Sequence, residues 1–285
     1  MNNHIENLIR DGYSIVSGTI PATSADQLRL AFSSFVDDGV IESVYPDVPW
    51  FRNLLEHLPE TVFPIVTSDA ILEIVEGLMG PQVQLDGVSL IGFPTGLGDP
   101  GTVRGWHRDR WAVFPPLEAY QRPFGVHCLI YCQDVTDKSG PLRVIPGSHR
   151  NPVAIQSHEE RLPHRDEILL YPEKGEVVML DNSVLHSGTL HDGDDYRVLC
   201  SVCYQLDWLK QPDRFDGPNC QRLISRVQKI GCPRLSRLLG ASRKWGAGPN
   251  RANYGFLRPE REYWEEWFEQ DQQKRDRNAR GASED

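Results

Sequence analysis

A chain of 285 residues with 39% hydrophobic and 25% charged residues has an ordinary globular composition, long enough for one large core and unlike a disordered or fibrous chain. No apolar run approaches the ~20 residues that cross a bilayer, and the opening MNNHIENLIRDGYS lacks both a basic stretch and an apolar one of the kind that directs export. The net charge is −10, yet residues 217–259 hold nine Lys or Arg and no Asp or Glu, so charge is divided unevenly along the chain.

In chain order, the sequence opens with a short helix and a strand at GYSIVSG. A helix then runs from about Ser24 to Asp38, with Thr23 or Ser24 as its N-cap. A second helix follows Ser68 in SDAILEIVEGLMG and stops at Gly80-Pro81. From residue 82 to 207 the pattern changes to short apolar or alternating runs separated by Gly, Pro, Asp and Asn. These are VQLDGVSLIGF, RWAVF, FGVHCLIYCQ, LRVIP, EILLYP, EVVML, SVLHSGTL and YRVLCSVCYQL. About eight strands at this spacing predict a mainly β, double-sheet jelly roll or barrel with flanking helices. The polar stretch 156–167 is either a lid over the barrel mouth or a surface loop. The six cysteines are scattered and read as reduced thiols, with Cys200 and Cys203 packed in a buried strand.

The basic stretch either docks on an acidic barrel or attracts an anionic substrate. Beyond it, REYWEEWFEQ sets Tyr263, Trp264, Trp267 and Phe268 on one face of a helix. The expected organisation is therefore a barrel with its N-terminal helices over 1–207, a basic and aromatic helical extension over 208–274 packed on it, and a disordered tail over 275–285.

The segment GWHRDRW carries the chemistry. On a strand, residues two apart share a face, so His107 and Asp109 can converge on one metal while Arg108 points away. His186, in VLHSGTL, offers a third ligand from a distant strand. Two imidazoles and one carboxylate leave three positions open on an octahedral ion, which suits Fe(II) binding a bidentate co-substrate and O₂. Zinc favours a tighter tetrahedral set. Eleven residues after His186 comes Arg197, whose guanidinium can grip a carboxylate through two parallel hydrogen bonds. Its alternative is a surface ion pair with Asp194 or Asp195.

With these residues in place, the sequence resembles the phytanoyl-CoA dioxygenase family of Fe(II)/2-oxoglutarate oxygenases over roughly residues 8–207. DKSGPLRVIPGSHR, residues 137–150, is the most recognisable stretch, and DGYSIVSG followed by a helix is similar to that family's N-terminus. The resemblance implies a double-stranded β-helix, a cupin-like barrel. It also implies Fe(II), 2-oxoglutarate and O₂ as cofactors, with ascorbate as reductant in vitro. His107, Asp109 and His186 would then be the metal ligands and Arg197 the co-substrate arginine. The implied reaction couples decarboxylation of 2-oxoglutarate to succinate with hydroxylation, or a related C–H oxidation, of a small substrate.

Two departures stand out. Gly188 sits where the family often has a Ser that touches the co-substrate, between Ser187 and Thr189. Arg104 stands where several members carry a Gln, and it could contact the C1 carboxylate or an anionic substrate. His127 is a candidate wall residue of the substrate pocket, with a satisfied core histidine as the alternative, and His149 is similar to a family feature of its turn. Related halogenases carry Ala or Gly in place of the carboxylate, so Asp109 speaks against halogenation. With Arg104, Arg108, Arg110, Arg122 and Arg143 near the site, an anionic, lipid-derived or secondary-metabolite-like acid is the expected substrate. The competing readings are a cupin-like metal-binding protein without oxygenase activity and a zinc-dependent hydrolase on the same barrel. The expected setting is cytoplasmic, with no nucleic-acid or membrane partner, and a homodimer stays open.

Overall fold

In the computed structural model, which describes residues 2–39, 47–96, 102–109, 112, 122–151, 153–213 and 215–241, helices come first. Helix α1 (Asn2–Asp11) leads through strand β1 (Tyr13–Val16) to α2 (Ala22–Asp38). Then come β2 (Trp50–Phe51), α3 (Leu54–His57), α4 (Pro59–Val66) and α5 (Asp69–Met79). The barrel strands follow: β3 (Val83–Phe93), β4 (Gly125–Tyr131), β5 (Leu142–Val144), β6 (Ile168–Leu170), β7 (Val177–Asp181), β8 (His186–Gly188) and β9 (Arg197–Leu206). Helices α6 (Pro218–Ile230) and α7 (Pro233–Leu238) close the described chain. None of the described helices is long and apolar enough to cross a membrane.

Six strands pair antiparallel in the order β1-β7-β4-β9-β3-β2, and three in the order β6-β5-β8. From β4 onward the chain passes back and forth between the two sheets, with β4, β7 and β9 in the larger and the β5–β6 pair and β8 in the smaller, the winding of a double-stranded β-helix, in agreement with the expected fold. The space between the sheets is apolar, filled by Ile91, Tyr131, Val144, Val178, Leu180 and Leu199. Strand β7, VVMLD, is buried at every position. Such a run reads as continuous rather than alternating because both of its faces are covered.

Helix α2 packs against β3 and β9 through Ala25, Leu28 and Phe32, a buried stripe at helical spacing. The Phe32 ring fills the place a Cβ at Gly92 would need, so the glycine lets the helix approach the sheet. The helix begins earlier than Ser24. Pro21, with φ −59°, is already set for a helical start, and its carbonyl accepts from Ser24 N and Ala25 N at 2.9 and 3.3 Å. Helix α5 starts after Ser68 and ends at Gly80, as the sequence suggests.

By its contacts the chain divides into residues 1–221 and 222–285. The aromatic face at 263–268 and the tail after Lys274 lie outside the described residues, as does nearly all of the 110–114 run. Within the first unit, the Glu56 carboxylate accepts from Asn219 N and Cys220 N at 3.0 and 2.9 Å, capping the start of α6. All six cysteines are unpaired. Cys200 and Cys203, three apart on β9, point to opposite faces, which takes the C-x-x-C away from any shared chemistry.

Candidate metal centre

Residues 102–109 run antiparallel beside β8 and extend the smaller sheet. His107 and His186 form a facing pair: His107 N donates to His186 O at 3.0 Å and His186 N returns the bond at 3.1 Å. Arg104 N donates to Gly188 O at 2.9 Å. Three steps on one strand therefore match two on the other, a β-bulge, and Gly105 takes up the extra residue with φ +112°. The bulge turns Arg104 and His107 to the same side despite their odd spacing. Asp109 follows, its N–H donating to Asn182 O at 2.8 Å. The 156–167 stretch forms turns alongside this segment, with the Glu160 and Arg161 carbonyls accepting from Trp106 N and Val103 N.

One ligand atom each from His107, Asp109 and His186 lies within 4.8 Å of the others, and His186 Nε2 stands 3.7 Å from Asp109 Oδ1. Both imidazoles are oriented by carbonyls: His107 Nδ1 meets Gly105 O at 3.0 Å and His186 Nδ1 meets Val184 O at 3.1 Å. A carbonyl only accepts, so Nδ1 carries a proton in each ring, which leaves Nε2 as the nitrogen able to bind a metal. Burial, helped by the His107 charge, lowers the His186 pKa to about 4 against the pull of Asp109. The ring is thus neutral at physiological pH, as a metal ligand must be.

His127, on β4, donates from Nδ1 to Asp109 Oδ2 at 2.5 Å. Burial opposes charge on both groups, but the carboxylate and imidazolium stabilise each other. Asp109 is held well below the usual carboxylate range and His127 is raised well above that of an ordinary imidazole, with Cys203 adding to the latter. His127 thus fixes one carboxylate oxygen and leaves Oδ1 toward His186. The sequence reading placed His127 as a pocket wall or a satisfied core histidine; its partner, Asp109, escaped that reading. Two imidazoles oriented by carbonyls and one anchored carboxylate on one side of a point form a donor set that fits Fe(II).

Arg197 opens β9 and is 4% exposed. Its Nη1 donates to Ser139 O and Thr189 O at 3.1 and 3.4 Å, while Nε has no partner. Among the described residues no carboxylate pairs with it, neither Asp194 nor Asp195, and Asp195 is taken by Arg29. Burial lowers its pKa to about 10, with the Arg104 charge adding and Tyr131 opposing. A Cβ at Gly140, whose φ is +78°, would lie 2.6 Å from Nη1, so glycine there admits the guanidinium. A buried cation without a counter-charge costs stability by itself, and a carboxylate ligand would complete it.

The other arginines divide. Arg108 is tied to the Ser183 and Ser148 carbonyls at 2.8 and 3.2 Å, and Arg143 pairs with Glu167 and donates to Thr189 Oγ1 at 2.8 Å. Arg122 is exposed and Arg110 lies outside the described residues. Arg104 is half-buried, with its guanidinium 4.6 Å from the centre of the Phe93 ring; that of Arg197 lies 4.7 Å from the same ring. Phe93 pairs directly with Arg197 in the β3–β9 register, a relation with no sequence signal. His149 is buried in its turn and meets Ile9 O at 3.0 Å. A cavity of about 460 Å³ reaches Arg197 from the side of Arg29, Gln133 and His191, and none of the three converging residues lines it.

A family model described as phytanoyl-CoA dioxygenase matches residues 8–198. Among characterised proteins, the chain is 25% identical over 237 residues to the iron/alpha-ketoglutarate-dependent dioxygenase ausO of Aspergillus calidoustus, covering 77% of this chain and 78% of that protein. Among solved structures, HygX from Streptomyces hygroscopicus with nickel and 2-oxoglutarate bound aligns with a TM-score of 0.61 at 13% identity, over 76% of this chain and 91% of that one. The epimerase SnoN in complex with Fe3+, alpha ketoglutarate and nogalamycin RO aligns at 0.57 and 17% identity, over 72% and 82%.

Proposed function

The chain belongs to the phytanoyl-CoA dioxygenase family of non-haem iron, 2-oxoglutarate-dependent oxygenases, and on that premise we propose that His107, Asp109 and His186 hold its Fe(II) while Arg197 holds the far carboxylate of 2-oxoglutarate. The observation that carries the ligand assignment is the convergence of the three side chains, with both histidines locked by carbonyls so that Nε2 faces the gap. For Arg197 it is a buried guanidinium with no carboxylate partner among the described residues.

Bound here, Fe(II) and 2-oxoglutarate supply the oxidation of a substrate C–H bond, coupled to decarboxylation of the co-substrate to succinate. The chain's own residues do the positioning. The His107–His186 backbone pair fixes the separation of two ligands before any metal arrives. His127 anchors Asp109 by one oxygen, leaving the other as the metal donor, and Arg197 sets the orientation of a dicarboxylate. Holding the reacting groups in place and keeping water away is the protein's main contribution.

The substrate is a small molecule, and an acid of lipid or secondary-metabolite type is the reading favoured here. Support for a small metabolite comes from the SnoN and HygX structures, which hold nogalamycin RO and hygromycin B. A metal-storing cupin would not need a buried arginine waiting for a carboxylate, and a zinc hydrolase would need a free general base, whereas His127 is committed to Asp109. The test is succinate formation from 2-oxoglutarate by protein reconstituted with Fe(II) and ascorbate, across a panel of small acids. Tightly retained zinc, with no succinate formed on adding Fe(II), would refute the assignment.

A further inference from the structure

Building on the assignment of Arg197 to the distal carboxylate of 2-oxoglutarate, we propose that Arg104 is a second grip on that same carboxylate, standing in the space a side chain at position 188 would otherwise fill. Three relations place it there. The bulge at Gly105 turns Arg104 to the side of His107, and Gly188, two residues after His186, shares the face of that ligand. The backbones of Arg104 and Gly188 are joined by a 2.9 Å hydrogen bond. A Cβ placed on Gly188 would lie 3.0 Å from Arg104 Cδ, 3.4 Å from Cγ and 3.6 Å from Arg197 Nη2. The aliphatic stem of Arg104 therefore fills the site of the missing side chain, immediately beside the Arg197 fork.

The electrostatics point the same way. Both guanidiniums lie on the Phe93 ring, at 4.6 and 4.7 Å. Among the described residues Arg104 makes no side-chain hydrogen bond or ion pair, and Arg197 donates only to carbonyls. Two like charges drawn together away from bulk water repel each other, and the phenyl face offsets only part of that cost. A carboxylate has about four acceptor sites and can take donors from two arginines at once. Gly188 and Arg104 thus form a matched exchange, in which a side chain lost from β8 is replaced by a guanidinium from the neighbouring strand. The consequence is specificity: this pocket discriminates by the charge at the far end of the 2-oxo acid more strongly than one arginine would.

Calorimetric titration of Ni(II)-loaded protein with 2-oxoglutarate and with 2-oxovalerate, which has a methyl group in place of the distal carboxylate, tests this without relying on turnover. Arg104→Ala should weaken 2-oxoglutarate binding about tenfold or more, the range for a hydrogen bond to a charged group, and leave 2-oxovalerate within about twofold. Gly188→Ser alone should also weaken 2-oxoglutarate binding, since its Cβ needs the place of Arg104 Cδ. In the Arg104→Ala background, the same serine should recover part of the loss. Arg104→Gln serves if the alanine variant binds less than one Ni(II) per chain. Wild-type affinity in the Arg104 variants, equal weakening of both ligands, or no recovery in the double variant would overturn the proposal. Unchanged 2-oxoglutarate affinity in Arg197→Ala would instead remove the assignment on which it rests.

Discussion

Replacing Arg197 by Met keeps most of the aliphatic volume and removes the fork, so it isolates the charge. In the wild type Arg197 is 4% exposed and among the described residues has no carboxylate partner, so the co-substrate's carboxylate would supply a counter-charge. Truncating one side of a buried, hydrogen-bonded charge pair costs about 2–5 kcal/mol, which at ~1.4 kcal/mol per decade is a loss of roughly 30-fold to 4,000-fold in affinity. Thermal unfolding reads the same quantity by linkage. Co-substrate at about 100 times its Kd stabilises the protein by about 2.7 kcal/mol, and a 30-fold weaker Kd leaves about 0.9 kcal/mol at the same concentration. The 2-oxoglutarate-induced rise in Tm should therefore fall to about a third or less, while metal stoichiometry stays at one. Arg197→Lys keeps the charge without the fork and should fall between the two. Wild-type affinity in Arg197→Met, measured by anaerobic titration of the Fe(II) protein, would refute the co-substrate assignment.

Elemental analysis of the reconstituted protein should give one Fe(II) per chain, and His186→Ala should lose tight metal binding and succinate formation with an unchanged far-ultraviolet spectrum. Gly140→Ala forces a side chain onto a φ of +78°, 2.6 Å from both Arg197 Nη1 and Leu190 O. It should destabilise the fold by about 1–3 kcal/mol in denaturant melts and weaken 2-oxoglutarate binding without loss of metal. His149 is buried, and burial with the Arg150 charge lowers its pKa despite the hydrogen bond to Ile9 O. The unfolded chain takes up this proton near pH 6.5 and the folded chain resists it. The stability from neutral His149 is therefore complete above about pH 6.5 and is lost as pH falls below it. His149→Gln should flatten urea-derived stability between about pH 7 and 5, and an unchanged slope would assign the acid loss to other groups.

The convergence of His107, Asp109 and His186 was legible because it is written in short-range periodicity. His107 and Asp109 share a face by the two-residue repeat of a strand, and His186 lies in an apolar run that had to be a barrel strand. Arg197 was legible as a lone cation at the head of a buried strand, although only the fold shows that Asp195 is engaged elsewhere. The early start of α2 was missed because a hydroxyl N-cap was sought where Pro21 already sets the turn. The contact between His127 and Asp109 was not legible: it joins residues 18 apart through a sheet whose register depends on β7 and β9.

The two ends of the proposed site differ in how they are specified, and this predicts where substitutions will act. The metal end depends on side chains that are present, so its losses should be losses of metal. The carboxylate end depends as much on side chains that are absent. Gly105 permits the bulge that turns Arg104 inward, Gly188 leaves room for its stem, and Gly140 leaves room for Arg197. Of these glycines only Gly188 drew notice in the sequence, as a departure from a family serine; Gly105 and Gly140 carry no chemical signature of co-substrate binding. Substitution at 140 or 188 should therefore separate the two functions, weakening 2-oxoglutarate while metal stays bound. A loss of metal in parallel with co-substrate would mean that the two ends form one mechanical unit, held through β8, on which both His186 and Gly188 lie.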